Sequence, residues 1–367
     1  MPRKPKILVT SAGGKTGLPT ALTLLENGYR VVAFLRRTDA RSERLKEAGA
    51  EIFVGDQFSM RDMRRAMEGV TRAYHCAPTA PNGLHFGAVF AAAAHEAKLE
   101  HVVSLSQWLS QPEHPSQFTR EVWLSDAMLE MMGEMSVTTV NVGWFADNYF
   151  MVLEPAAQLG LLPMPLGDGN EKKNAPPSNE DIGAVAAGAL MDPATHGGKV
   201  YRPTGPALLS PSEIAETLGR VLGRKVRYQD ISETMFLKAL RAVPPPNYSD
   251  TMLTQLRLYV EEYRRGAFAV NAPTDVVQTV TGRPAESFEV IARREVARRP
   301  EAVPTFGNRL RALANFAKIA LARTPDVAAI ERREAHVLIK DAQYCGENPE
   351  WRESHGPGGP KLLTAAA

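Results

Sequence analysis

A chain of 367 residues has room for one large α/β domain with an elaboration, or for two domains, and 44% hydrophobic with 23% charged residues is ordinary for a water-facing globular protein. A formal charge of +2 gives no reason to expect nucleic acid, and Cys76 and Cys345 are too few for a disulfide framework or a cysteine-rich metal site, so no metal is expected. No run of about 18 apolar residues appears, and strand residues follow the basic Met1-Pro2-Arg3-Lys4-Pro5 directly, so a cytoplasmic protein with no membrane span is the default.

In chain order, Lys6-Ile7-Leu8-Val9-Thr10 is a short apolar run, followed at once by Ser11-Ala12-Gly13-Gly14-Lys15-Thr16-Gly17. Leu18, Ala21, Leu22 and Leu25 recur at helical spacing until Gly28, and Val31 to Leu35 is a second apolar run ending in Arg36-Arg37. Strand, glycine turn, helix and strand make a β-α-β unit. Such a turn brings backbone N–H groups and a helix N-terminus against a pyrophosphate, with glycines where a Cβ would collide. Gly14 and Gly17 fill two glycine positions of a Gly-x-x-Gly-x-x-Gly spacing and Ser11 fills the first, a departure that costs strain unless Gly13 absorbs it. At the end of the second strand an acidic residue would hold the ribose of NAD. Arg36 and Arg37 stand there instead, with Lys15 adding charge in the turn, which predicts NADP(H). Gly14-Lys15-Thr16 does not end a P-loop, because Val9 occupies the position where its first glycine belongs.

Further strands are expected at Glu51 to Val54, Ala73 to Cys76, His101 to Ser106 and Val137 to Val142, with helices at 39–48, 60–67, 86–97 and 118–132 between them. This alternation predicts a doubly wound parallel sheet with the ligand across the carboxyl ends of its strands. Asp56-Gln57, Cys76-Ala77-Pro78, Ser104 and Gly143-Trp144-Phe145 fall at such ends. With Thr10, Ser11, Gly13 to Gly17, Arg36 and Arg37 they are the candidate cofactor contacts.

Thr10 to Gly17, Arg36-Arg37, Gly55-Asp56, Leu105-Ser106, Gly143 to Asn148, Asn179 to Gly183 and Thr281-Gly282-Arg283-Pro284 together resemble the NmrA-like branch of the atypical short-chain dehydrogenases/reductases, over roughly the first four-fifths of the chain. The resemblance implies a Rossmann domain binding NADP(H), with Asp56 beside the adenine and a smaller carboxyl-terminal subdomain over the nicotinamide. That family holds quinone and isoflavone-type reductases, and also regulators that sense the dinucleotide without turning it over. The expected division is 1–150 for the Rossmann domain, 151–295 for an α+β lid that partly returns to its sheet, and 296–367 for a helical extension.

The tyrosine and lysine that serve ordinary short-chain dehydrogenases are absent, since no Tyr has Lys four residues later and no Lys lies between Lys98 and Lys172. Other donors must serve: Ser106 is the nearest match to the family serine, and Arg120 and Tyr149 complete the catalytic candidates, with His114 read as an exposed loop residue. Trp144 and Phe145 are candidates for an apolar wall against a small, flat hydrophobic substrate. The reading is an NADPH-dependent reductase of a hydrophobic carbonyl, enone or quinone, with a non-catalytic NADP(H)-sensing regulator as the alternative.

In the lid, Ser210-Pro211-Ser212-Glu213 is a capping box and predicts a helix to Leu222. Between Arg293 and Arg333 ten Arg or Lys face four Asp or Glu, and Phe306, Leu310, Leu313, Ala317 and Ala320 form one helical stripe. The stripe is expected to pack on its own domain or on a second copy in a homo-oligomer, with peripheral membrane contact through 306–323 as the other reading. Trp351 to Ala367 shows no apolar period and is read as a loose tail.

Overall fold

The computed structural model describes residues 4–246 and 248–356. Its main sheet has seven parallel strands, and it grows outward from β1 (Lys6–Val9), whose side chains are almost wholly buried, as a strand covered on both faces requires. The chain runs through α1 (Gly17–Glu26), β2 (Arg30–Leu35), α2 (Ala40–Glu47) and β3 (Glu51–Val54) to one edge. It then crosses back by α3 (Met60–Ala66) to β4 (Arg72–His75) on the other side of β1, and continues through α4 (Gly83–Glu96), β5 (His101–Gln107), α5 (Gln117–Glu130) and β6 (Ser136–Val142). The strand order is 3-2-1-4-5-6-8, which places the topological switch point between β1 and β4.

After β6 come a short 3₁₀ turn (Ala146–Val152), α6 (Leu153–Leu159), β7 (Leu161–Met164), α7 (Asn179–Met191), α8 (Pro193–His196) and β8 (Val200–Tyr201). β8 pairs with β6 and closes the main sheet, and α7 packs on α1. That approach is close enough to need Gly183, where a Cβ would stand 2.8 Å from Pro19 and from the backbone of Thr20. Beyond it lie α9 (Pro211–Leu222), β9 (Arg227–Asp230), α10 (Glu233–Ala242), α11 (Asp250–Arg265), α12 (Val276–Thr281), α13 (Phe288–Arg298), α14 (Phe306–Leu321), α15 (Val327–Arg333) and α16 (Pro349–Ser354). The capping box of α9 forms as predicted, Ser210 and Glu213 each bonding the other's backbone N–H. β9 pairs with β7 in a separate two-stranded sheet. Two sequence motifs far apart in the chain meet here: Arg283 bonds the fully buried Asp181 at 2.6 Å, and Asp181 also accepts from the Glu286 N–H.

The core has three parts. One lies under α1 and α7, one under α3, α4 and α5, and the third joins α6, α9, α10, α11 and α13 to Trp108, Trp144, Tyr149 and Phe150. The third also contains Ile330, Cys345 and Trp351, which corrects the expectation of a loose tail as far as residue 356; residues 357–367 lie outside the described ones. Trp351 forms part of α16, is 2% exposed, stacks on His355 with ring centroids 3.9 Å apart, and donates to the Trp108 carbonyl at 2.9 Å.

Candidate functional site

The glycine turn leaves β1 through Thr10, whose hydroxyl donates to the Tyr74 carbonyl at 2.8 Å and accepts from the Cys76 N–H at 2.9 Å, locking the ends of β1 and β4 together. Ser11 adopts φ +48, the left-handed conformation that favours glycine, so the strain anticipated at this position falls on Ser11 itself and Gly13 does not absorb it. Its hydroxyl recovers part of that cost by donating to the Cys76 carbonyl at 2.9 Å. The Ser11 carbonyl then fills the space beside both following glycines: a Cβ on Gly14 would stand 2.9 Å from it and one on Gly17 2.3 Å. Only glycine fits either position. Thr16, next in line, carries no side-chain cap to α1, because its hydroxyl accepts from Tyr74 instead. The N-terminus of a ten-residue helix is thereby left to bind an anion.

Positive charge surrounds this opening. Arg36 and Arg37 are exposed at the end of β2, and neither belongs to an ion pair among the described residues. Lys15 does, reaching Asp147 after β6, which also takes Arg299 at 3.1 Å. Arg41, which no sequence motif singles out, donates to the Gly13 carbonyl at 2.8 Å and is held by Asp39. Asp56 is exposed and accepts from the Phe58 N–H at 2.9 Å, while Gln57 is buried under Ser11. Ala77 and Pro78 continue from β4, half-buried. Burial pushes the Cys76 thiol up to about 11, so it stays protonated at neutral pH.

At the end of β5 the two serines share a partner. Ser104 donates to one carboxylate oxygen of Asp126 at 2.7 Å and Ser106 to the other at 2.5 Å. His75 lies 3.0 Å from the Ser104 hydroxyl and stacks on Phe86. Since Ser104 spends its proton on Asp126, His75 donates through Nδ1, leaving a bare buried Nε2. Asp126 projects from α5 into a wholly enclosed space with no cation paired to it among the described residues, and burial raises it to about 7 against the pull of the two serine bonds. Burial holds His75 near 3, hence neutral. Neither Asp126 nor His75 was foreseen; the available signal was a carboxylate between Val122 and Leu129 on the apolar face of its helix.

The other candidates are placed differently. Tyr149 is fully buried, with its hydroxyl 3.2 Å from that of Tyr263. Trp144 is fully buried among Tyr149, Tyr263 and Phe268, which removes it from an exposed wall, whereas its neighbour Phe145 is half-buried beside the main-sheet core. Gly143 lets Phe268 and Trp108 approach, since a Cβ there would lie 3.3 Å from the phenylalanine ring. Arg120 donates to the carbonyls of His114 at 2.6 Å and Pro115 at 3.1 Å, and to that of Val337 in the extension. The Val337 N–H in turn reaches Gln117, Gln343 donates to the Glu113 carbonyl, and Gln111 to the Gln343 carbonyl. The extension is thus stitched over the loop between β5 and α5.

His114 is buried, contrary to its reading as an exposed loop residue, and lies 3.1 Å from Glu262. His114, Glu262 and Cys345 bring possible metal-ligand atoms within 4.8 Å of one another. The Ser116 N–H donates to His114 Nδ1 at 3.0 Å, so the proton of the neutral ring sits on Nε2 and points at Glu262. That tautomer has no free lone pair for a metal. The Cys345 N–H also donates to Glu262 at 2.7 Å, which makes the trio a pin for the extension.

The model of the NmrA-like family matches residues 3–280. An NAD(P)H azoreductase of Xenophilus azovorans is 30% identical over 293 residues, covering 79% of this chain and 98% of that protein. A (4-alkanoyl-5-oxo-2,5-dihydrofuran-3-yl)methyl phosphate reductase of Streptomyces griseus is 31% identical over 288 residues, covering 77% and 95%. Among solved structures, the NADPH-dependent quinone oxidoreductase of Escherichia coli complexed with NADPH superposes with a TM-score of 0.67 at 22% identity, over 79% of this chain and 99% of that one. With its glycine turn, its strand order and these relatives, the chain belongs to the NmrA-like family.

Proposed function

We propose that this protein is an NADP(H)-dependent reductase acting in the cytoplasm on a small, flat, hydrophobic carbonyl, enone or quinone. The uncapped α1 N-terminus suits a pyrophosphate, and the unpaired guanidiniums of Arg36 and Arg37 suit the 2′-phosphate. The relatives' printed activities, each a reductase, support the reaction class. When bound, NADP(H) supplies the hydride.

The observation that carries the reading is the Ser106–Asp126 pair. With Asp126 ionised, the Ser106 proton is spent on the carboxylate. With Asp126 protonated, the carboxyl donates to Ser106 and releases the serine O–H to bond an acceptor oxygen. A carboxyl held at about 7 populates both states at neutral pH, so it stores a proton and passes it through Ser106 as the acceptor oxygen gains charge. This supplies what the missing tyrosine and lysine would otherwise provide. Arg120 and Tyr149, with their polar atoms committed elsewhere, take structural parts in this reading. It keeps 1–150 as the dinucleotide domain, 151–295 as the lid, with α7 and β8 returned to the first sheet, and 296–367 as the extension.

One observation favours the second reading, a non-catalytic NADP(H) sensor: the extension lies over the β5–α5 loop, where a partner could be met. Loss of nicotinamide absorbance with NADPH and a panel of quinones, enones and azo dyes separates the two. Turnover that falls in Ser106→Ala supports the reductase; tight NADPH binding without turnover across the panel supports the sensor.

A further inference from the structure

α14 carries two opposite faces. Asn308, Ala312, Asn315 and Ile319 follow one another at helical spacing and turn inward, where α14 packs on α6 and α10. Asn308 bonds the carbonyls of Pro300 and Val303, and Asn315 and Arg311 both hold Glu154 of α6 at 2.6 Å. Phe306, Leu310, Leu313, Ala317 and Leu321 follow at the same spacing about half a turn away, so they face directly outward. They are not covered by any part of the described chain: Phe306 is 84% exposed, Leu310 57%, Leu313 51% and Leu321 87%. The expectation that this stripe packs on its own domain is therefore corrected.

Charge decides what covers it. From Ala302 to Pro325 the sequence has Arg309, Arg311, Lys318 and Arg323 and no carboxylate at all. Arg311 is spent on Glu154, while Arg309 and Lys318 are exposed on either side of the stripe and Arg323 beyond its end. A second copy docked across a two-fold axis would bring these cations together with no acid on the helix to answer them. An anionic bilayer surface supplies both needs, acyl chains for the phenylalanine and leucines and phosphate headgroups for the rim. We propose that α14 is a peripheral anchor, lying in the headgroup plane of an anionic membrane with Phe306, Leu310 and Leu313 inserted.

The full chain, mixed with extruded vesicles of phosphatidylcholine alone or with about a third phosphatidylglycerol, is to be separated by flotation. The wild type should float with the anionic vesicles and stay behind with the neutral ones. Replacing Phe306, Leu310 and Leu313 together by serine should lower partitioning at least about tenfold, and Arg309→Gln with Lys318→Gln should lower it several-fold on anionic vesicles only. All five side chains are exposed, so the variants should unfold at the wild-type urea midpoint, and that check accompanies the assay. Failure of the wild type to float, or equal flotation of the triple-serine variant, overturns the proposal. So does a wild-type dimer in sedimentation that the triple-serine variant converts to monomer without any vesicle binding, which would make the stripe a subunit interface.

Discussion

Replacing Asp126 by asparagine tests the electrostatic core of the candidate site without asking for turnover. In the folded protein the carboxyl titrates near 7; unfolded, it returns to its ordinary 3.8. Between those values the folded state keeps a proton that the unfolded state has released, so stability is highest below the lower value and falls as pH rises through the window. The full difference corresponds to roughly 4 kcal/mol, of which roughly 2.5 kcal/mol is lost between pH 5 and pH 8. Asparagine keeps the shape, accepts from one serine and donates to the other, and does not titrate. Urea unfolding of the ligand-free protein at pH 5, 6, 7 and 8 should show the asparagine variant gaining on the wild type by that amount toward pH 8. All other groups cancel in the comparison. A difference that stays constant across the range would mean that Asp126 is ionised in the folded protein, and the proton store at Ser106 would go with it.

Three further outcomes are expected. Arg36→Ala should weaken NADPH by about tenfold or more while leaving NADH within about twofold, read by fluorescence titration, because only the 2′-phosphate distinguishes the two and a charged hydrogen bond contributes about 1.5–3 kcal/mol. If the reductase reading holds, Ser106→Ala should reduce kcat by roughly 10²-fold with unchanged NADPH affinity, and the wild-type kcat should decline above pH 7 as Asp126 loses its proton; a flat pH profile would count against the relay. Trp351→Ala should destabilise the protein by about 3–5 kcal/mol in urea, the usual result of emptying a buried indole site, whereas a loose tail would give no change.

What the sequence disclosed is what neighbouring residues decide. β1, the glycine turn, α1 and β2 announce themselves through local period and sterics, and even the unusual serine at position 11 was readable as a point of strain, since a left-handed turn is the same demand whoever fills it. Arg36 and Arg37 could be offered as phosphate contacts because that expectation follows from where a strand stops. Asp126 was hidden because nothing in its own helix states that Ser104 and Ser106 will stand opposite; that pairing exists only once β5 and α5 are packed. The Val337 carbonyl that takes Arg120 was hidden for the same reason, lying 217 residues away. Trp351 escaped because a single indole among charged and turn-forming residues has no period to detect, although one such ring is enough to fix a segment. The apolar stripe on α14 was seen correctly as a stripe, but a helical period cannot say whether its apolar side faces in or out.

The stitching of the extension also sets a timetable for synthesis. Every strand of the seven-stranded sheet is complete by Tyr201, so the Rossmann half can close while the remainder is still being made. The carboxyl-terminal helices cannot do the same. Their core includes Trp351, which is made 243 residues after Trp108, so Trp108 and its neighbours wait for that partner through the making of more than half of these 367 residues. Synthesis interrupted between Tyr201 and Trp351 would therefore release a chain with a finished seven-stranded sheet and an exposed aromatic core beside it, a natural target for chaperones and proteases.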